Sequence, residues 1–441
     1  MGILLGVGAG KPSWAYDYFY GVERDNTAAS SACTRIGRSE LHQTLPIQSK
    51  MRRCLLNDNG TVNYYLDPND STKRDTGAAA DLTGASGQVM VEIPQFYIKF
   101  EVEGTKERAM ISEYPLPGFT LVPKMYVSAY EATVDRTISG TPKLCSVVNT
   151  TANFRGGNNT AAWDGTYRSL LGMPATNISL TNFRTYARNR GAYGLNDAGW
   201  NCYTYDAHKT LFWLYVIEYA NLNSQLAYNA SPDANGYKQG GLGNGVTTLN
   251  SATWTTYNGT NPVIPCGYTN PLGNRTGTVD FALPAEYGTL TVAVPSYRGV
   301  ENPFGHVWKW TDGLKCRIQS DVGGGLSEFY ICENPANYQS ANYTNYVLRG
   351  LLPRTEGYVK NILFGEYGDM LVRQTGGSSS TYYADYFYTS LPGSGEEQRG
   401  VRFGGSANYG ASAGLACAYT SYAPSNAGTN IGSRLCFIPT P

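Results

Sequence analysis

Through residues 1–125 the apolar positions come in short β-type runs broken by turn clusters. Val89–Ile93 and Gln95–Val102 read as strands separated by Pro94, while Asn57–Gly60 and Asp67–Asp70 read as turns. The stretch Leu116–Pro123, rich in Pro and Gly, predicts a boundary, and Met125–Ala132 predicts the next strand. Only two segments carry a clear helical period. Leu180–Arg190 places Phe183, Tyr186 and Ala187 on one face and meets a natural stop at Gly191. Asp206–Leu222, with Asp206 as the expected N-cap, carries Leu211, Leu214, Tyr215, Ile217 and Ala220 as a broad stripe. Trp213 and Tyr219 widen that stripe, so this helix is expected at the centre of the core. Beyond Gly240 the chain returns to short strands and Gly-, Asn- and Thr-rich turns, and the last 80 residues show no helical period. Two helices among many short strands predict an α+β fold. The expected division is a β-rich domain over 1–125 and a second domain over 126–441. No repeat of fixed period occurs, and Gly376–Thr381 reads as a loop.

Composition narrows the function classes. The chain has 441 residues, with 34 Lys+Arg against 34 Asp+Glu, so no net field draws it to nucleic acid or anionic lipid. Its longest apolar run, Leu211–Ile217, is far short of the roughly 20 residues that span a bilayer, so no membrane insertion is expected. The first residues lack the basic start and long apolar stretch of a secretion signal, which predicts synthesis in the cytoplasm without a signal peptide. Nine scattered Cys without a CxxC spacing predict buried thiols rather than a disulfide framework or a zinc site.

Catalytic motifs are weak. Gly6–Lys11 ends in Lys, but Leu5 and Pro12 stand where a phosphate loop needs Gly and a hydroxyl. The three His (42, 208 and 306) lie too far apart in sequence for two to share a helix face, and His208 and His306 read as packed residues. Asn57–Gly60 lacks the closing Glu of a calcium loop. Thiol chemistry would need the fold to join two Cys, such as Cys417 and Cys436 or Cys316 and Cys332. No catalytic residue, metal or cofactor is therefore expected.

One feature does point to function. Between Tyr382 and Tyr422 there are seven Tyr in 41 residues, interleaved with Ser, Gly, Ala, Asn and Thr. Tyr supplies wide amphipathic contact with few rotors, and the small polar residues supply adaptable hydrogen bonds; together they make the composition of a binding surface.

The closing segments resemble a known superfamily. Gly400–Asn408 (GVRFGGSAN), Asn430–Phe437 (NIGSRLCF) and Asn302–Gly313 (NPFGHVWKWTDG) are similar to the conserved stretches of C-type lectin folds of the formylglycine-generating-enzyme type. Lys309 and His306 stand where that pattern carries Glu and Asn. Within the superfamily the chain looks most like the variable proteins of diversity-generating retroelements. Their adenine-directed mutagenesis of Asn-type codons never yields Lys, Met, Trp, Gln or Glu, and none of these five occurs in Arg399–Pro441. Arg35–Pro46 also resembles phage tail-type proteins of this group.

The resemblance implies a non-enzymatic receptor-binding protein on a virion tail or bacterial cell surface, with a variable region at about 380–434 on a C-type lectin scaffold. Residues 1–125 would serve attachment or oligomerisation. The expected partners are a host cell-surface protein or glycan and other tail proteins, and the tail-fibre analogy points to a homotrimer. The expected contact set is Tyr382, Tyr383, Asp385, Tyr386, Tyr388, Arg402, Tyr409, Ser412, Tyr419, Ser421 and Tyr422. Gly404, Gly405, Gly432 and buried Phe403, Leu435 and Phe437 would hold the frame. Two rival readings are a formylglycine-generating-type oxidase acting on a peptide Cys and a purely structural tail component.

Overall fold

The computed structural model of the chain describes residues 13–164, 170–191, 199–249, 262–283 and 290–439, so the Gly6–Lys11 motif lies outside the described residues. Strands predominate, joined among the described residues by three α-helices: α1 (Ser39–Thr44), α2 (Leu180–Arg188) and α3 (Tyr205–Tyr219). This is the α+β arrangement that the pattern predicts. None of these helices is long and apolar enough to cross a membrane.

Helix α3 is the axis of the largest core. Its N-cap is Thr204 rather than Asp206: the Thr204 hydroxyl accepts the amide of Ala207 at 3.2 Å, and Asp206 falls in the first turn. It ends at Ala220, which is left-handed at φ 50°. Every residue except Asp206 and Lys209 is buried, so the predicted stripe extends around the whole circumference. The buried carboxylate of Glu218 is matched by Arg298, whose Nη2 lies 2.6 Å from Oε1, and by the Tyr297 hydroxyl at 3.2 Å.

Helix α2 begins where predicted, on Ser179, whose hydroxyl accepts the amide of Asn182. Leu180, Phe183 and Ala187 face inward, and Arg184 bonds Asp312 through two contacts of 2.6 and 2.8 Å. The predicted turns form as well: Gly60 donates to Asn57 O, and Asp67 accepts the amide of Asn69. Helix α1 was not anticipated. Six residues are too few to display a period.

The boundary at residue 125 is not a structural divide. Strand Met125–Ser128 pairs on one side with Gln88–Ile93 (Val91 opposite Val127) and on the other with Leu435–Phe437 (Cys436 opposite Val127). One six-stranded sheet therefore runs Trp200–Cys202, Leu435–Phe437, Met125–Ser128, Gln88–Ile93, Arg52–Leu56, Val62–Tyr65. The N-terminal segment also wraps α3: Gln48 donates to Leu214 O at 3.1 Å, and Cys33 N donates to Ala220 O at 2.8 Å. The sequence could not show this, because strand pairing over 300 residues of separation leaves no local signal.

The larger sheet carries the C-terminal region. Its central strand, Trp308–Gln319, is flanked by Ser327–Ile331 and by Glu396–Gly404, and Ile431–Gly432 pairs with its start in parallel. Phe403, Leu435 and Phe437 are buried as the frame requires. A fully buried apolar side chain of this kind contributes about 1.5–3 kcal/mol.

Candidate ligand-binding site

Four strands of the larger sheet build one aromatic face. Tyr386–Tyr388 runs parallel to Gly414–Tyr419, which is antiparallel to Glu396–Gly404, itself antiparallel to Trp308–Gln319. The register aligns Tyr388, Tyr419, Arg402 and Trp310 in one row, and Phe387, Ala418, Phe403 and Lys309 in the next. Successive side chains on a strand point to opposite faces. The second row is wholly buried, while in the first row Tyr388 and Tyr419 are only half-buried.

Ring contacts knit this face together. Tyr388 stacks on Tyr419 at 5.2 Å between centroids, and Tyr419 stacks on Tyr422 at 5.3 Å. Trp308 meets Tyr409 and Tyr419 edge-on at 5.0 and 5.4 Å, and Tyr386 extends the patch toward Tyr358 at 5.0 Å. Such pairs add about 0.5–1.5 kcal/mol each beyond their burial, so the face is stiff before any ligand arrives. Tyr422 is its most open member, 39 % exposed.

Arg402 lies beneath these rings. Its guanidinium carbon is 4.4 Å from the centre of the Tyr419 ring, 4.6 Å from that of Tyr422 and 5.5 Å from that of Trp308. Burial draws its pKa down to about 10, and the facing phenols of Tyr419, Tyr422 and Tyr409 only partly offset that. A depression of about 210 Å³ opens over the group, lined by Trp308, Tyr409, Tyr419, Tyr422 and the amides Asn426 and Asn430.

The opposite face of the sheet holds a charged knot. Glu131 is buried between Lys309, whose Nζ lies 2.9 Å from its Oε1, and His306, whose Nδ1 bonds its other oxygen. His306 Nε2 accepts the amides of Val263 and Ile264 at 3.1 Å each, which leaves the ring proton on Nδ1. Burial would raise the Glu131 pKa, but Lys309 and His306 outweigh it and hold the carboxyl at about 2. His306 and Lys309 are thus joint partners of one carboxylate. His306 itself lies in the bend before the strand, at φ 58°, rather than within it.

Six of the eleven expected contact residues converge here: Tyr386, Tyr388, Arg402, Tyr409, Tyr419 and Tyr422. Ser412 borders the patch, its hydroxyl 3.4 Å from that of Tyr358. The other four need correction. Tyr383 is fully buried against Phe212, with Arg24 over its ring. Asp385 is fully buried too; its carboxylate accepts the amide of Ala416 at 2.7 Å, and burial pushes its pKa well up. It latches the strand Gly414–Tyr419 instead of meeting a ligand, and a Cβ at Gly414 would overlap it. Ser421 is buried, and Tyr382 sits apart at φ 54° beside Lys360. Tyr386 and Tyr388 share one side of a strand whose other side buries Phe387, whereas Tyr382 and Tyr383 lie in a turn.

Sequence reasoning missed Trp308, Tyr358, Asn426 and Asn430 as site residues. Trp308 lay within a segment singled out for its motif, and its spacing of two from Trp310 was the available signal. Tyr358 carried none, since only register brings it opposite Tyr386.

The sequence matches no protein-family model and no curated protein. Among solved structures the chain is similar to PvdO from Pseudomonas aeruginosa, with 12% identity over 80% of this chain and 95% of that chain, at a TM-score of 0.31.

Two other places were candidates for chemistry. A depression of about 280 Å³ near Asn57 and Asp58 is self-satisfied, because Arg190 bonds Asp58 at 2.6 Å and Leu144 O at 2.8 Å. The nine cysteines are all free thiols, and eight are buried. Burial pushes the Cys436 thiol up to about 12 and Cys417 well above its ordinary value, whereas a nucleophilic thiol needs the opposite shift.

Proposed function

We propose that this chain is a non-enzymatic ligand-binding protein that presents the Tyr388–Tyr419–Tyr422 face to a host cell-surface protein or glycan. The observation that carries the reading is the half-exposed row of stacked rings on a rigid sheet, backed by a fully buried row of alternating residues. A pre-organised aromatic face loses little conformational entropy on contact, which is what a recognition surface needs. The scaffold is proposed to be a C-type lectin fold of the formylglycine-generating-enzyme type. Supporting that, Met125–Ser128 and Leu435–Phe437, near the two ends of 126–441, pair with one another, and both longer helices lie between them in sequence.

We place the protein on a virion tail or bacterial surface, with residues 1–125 serving attachment, and infer that about 380–434 is diversified by a retroelement. Two experiments test this. The double variant Tyr409→Ala/Tyr422→Ala should lose adsorption to host cells while keeping its circular dichroism. Unchanged adsorption would favour a purely structural tail component. Independently, the encoding genome should carry a near-copy of the DNA for residues 380–434, differing only at adenines and beside a reverse transcriptase gene.

A further inference from the structure

Six arginines are buried among the described residues: Arg24, Arg53, Arg184, Arg190, Arg402 and Arg434. Five have oxygen partners. Arg24, Arg184 and Arg190 pair with Glu107, Asp312 and Asp58 at 2.8, 2.6 and 2.6 Å. Arg53 bonds Gly299 O, Asn270 and Ser71, and Arg434 bonds the carbonyls of Ser128 and Asn302. Arg402 is only 3 % exposed, and its guanidinium has no hydrogen bond to any described residue; Nε is buried without a partner, as it is in Arg24 and Arg434, but those two have other oxygen contacts. Aromatic faces attract a cation but satisfy none of its five donors. Nη1 and Nη2 are not among the sealed, unpartnered atoms, and Arg402 lines a depression, so these donors are free to meet an acceptor there.

The depression above it defines that acceptor. Its lining includes no Asp or Glu, so nothing within competes for the cation. The aromatic residues Trp308, Tyr409, Tyr419 and Tyr422 line it together with the amides Asn426 and Asn430. Aromatic walls accept the apolar C–H face of a sugar ring, and amides bond its hydroxyls. At about 210 Å³ the space is smaller than the roughly 300–1,000 Å³ of pockets that enclose drug-sized ligands, which suits one ring rather than an extended chain. The planar guanidinium fork matches a carboxylate in two parallel hydrogen bonds.

We propose that this pocket binds a carboxylate-bearing sugar, with Arg402 as the group that holds the carboxylate and the tyrosines as the stacking walls. This rests on reading the aromatic face as a ligand-binding surface, and it narrows the ligand from any glycan or protein to an acidic saccharide. The depressed pKa of Arg402 agrees, since an entering anion would restore what burial removes.

The test is calorimetry and saturation-transfer NMR on the full chain. The probes are methyl glycosides of glucuronic, galacturonic and sialic acid, each against a neutral counterpart, together with glucose 6-sulfate and a Glu-rich peptide. At least one acidic glycoside should bind about tenfold or more tightly than its neutral partner, and added salt should reduce the margin. Arg402→Gln should abolish the preference. Asn426→Glu, a rim change that leaves the core intact, should do the same by placing a carboxylate over the cation. Retention of the preference in both variants would overturn the proposal, as would no acidic glycoside exceeding its neutral partner. Tighter binding of the sulfate or the peptide would also overturn it, by assigning the pocket to another anion. Host adsorption measured in parallel separates the two readings. Dependence on Tyr409 and Tyr422 without any acid preference removes this proposal and leaves the binding function standing; adsorption indifferent to the tyrosines removes the binding function itself.

Discussion

Arg402 and Tyr419 stand directly opposite each other on adjacent antiparallel strands, and the guanidinium carbon lies 4.4 Å from the centre of the phenol ring. The same cation faces Tyr422 at 4.6 Å, so one charge is wedged under two stacked rings instead of against a carboxylate.

That arrangement separates Arg402 from Arg184 in stability. Arg402→Met exchanges an unpaired buried charge for hydrocarbon and strands no partner, so unfolding free energy should stay within about 1 kcal/mol of the parent. Arg184→Met strands the buried Asp312 carboxylate and should lose about 3–5 kcal/mol. Urea denaturation of both variants checks the contrast. A comparable large loss in each would show that Arg402 is a structural cation.

Asp385 gives a second contrast. If it latches Ala416, then Asp385→Ala leaves a buried amide unpaired and should destabilise by about 1–3 kcal/mol. Tyr422→Ala, at an open position, loses its stack on Tyr419 and should cost less, about 0.5–1.5 kcal/mol. Thermal melts of the two variants, reversed in rank, would return Asp385 to the ligand-contact set.

Acid should weaken the fold through its buried histidines. His208 is enclosed, with its ring nitrogens 3.1 Å from the Tyr203 hydroxyl and 3.0 Å from Leu415 O, and burial lowers its pKa from 6.5 to about 3. His42 is lowered to about 4, again chiefly by burial. Both folded values lie below the unfolded one, so below about pH 6.5 the unfolded chain takes up protons that the folded chain refuses. Stability present above that pH is lost as pH falls toward the folded values. Between about pH 6.5 and 4.5 the His208 contribution should reach roughly 2 kcal/mol. His208→Gln should flatten the curve of unfolding free energy against pH in that window; an unchanged slope would contradict the assignment.

The thiols offer a direct check on the oxidase alternative. With eight cysteines buried and Cys33 half-buried, the native protein should release at most one equivalent to Ellman's reagent within minutes. Nine equivalents should appear in guanidinium. A fast-reacting pair that maps to Cys417 and Cys436 would revive redox chemistry.

Much of the local structure was legible in the sequence. The periods of α2 and α3 were readable because each presents apolar residues at helical spacing over two turns or more. The strands Gln88–Ile93 and Phe96–Glu103 were bracketed by Pro94 and by turn residues. Tyr density alone pointed to five residues that the structure brings together on one face, Tyr386, Tyr388, Tyr409, Tyr419 and Tyr422, since phenols interleaved with small polar residues seldom form a core. Burial of Tyr383, Asp385 and Ser421 was not readable, because a residue adjacent in sequence to a surface position faces the other side of a strand or turn.

By itself the sequence determined which segments become helix or strand, where turns fall, and that aromatic side chains crowd the C-terminal region, since propensity and periodicity act over a few residues. Only the tertiary structure decided the register that sets Tyr388, Tyr419 and Arg402 in one row, the sheet that crosses residue 125, and the absence of any described oxygen partner for Arg402. These depend on contacts between distant segments. Their pairing is fixed by the packing of the whole chain and leaves no trace in local order.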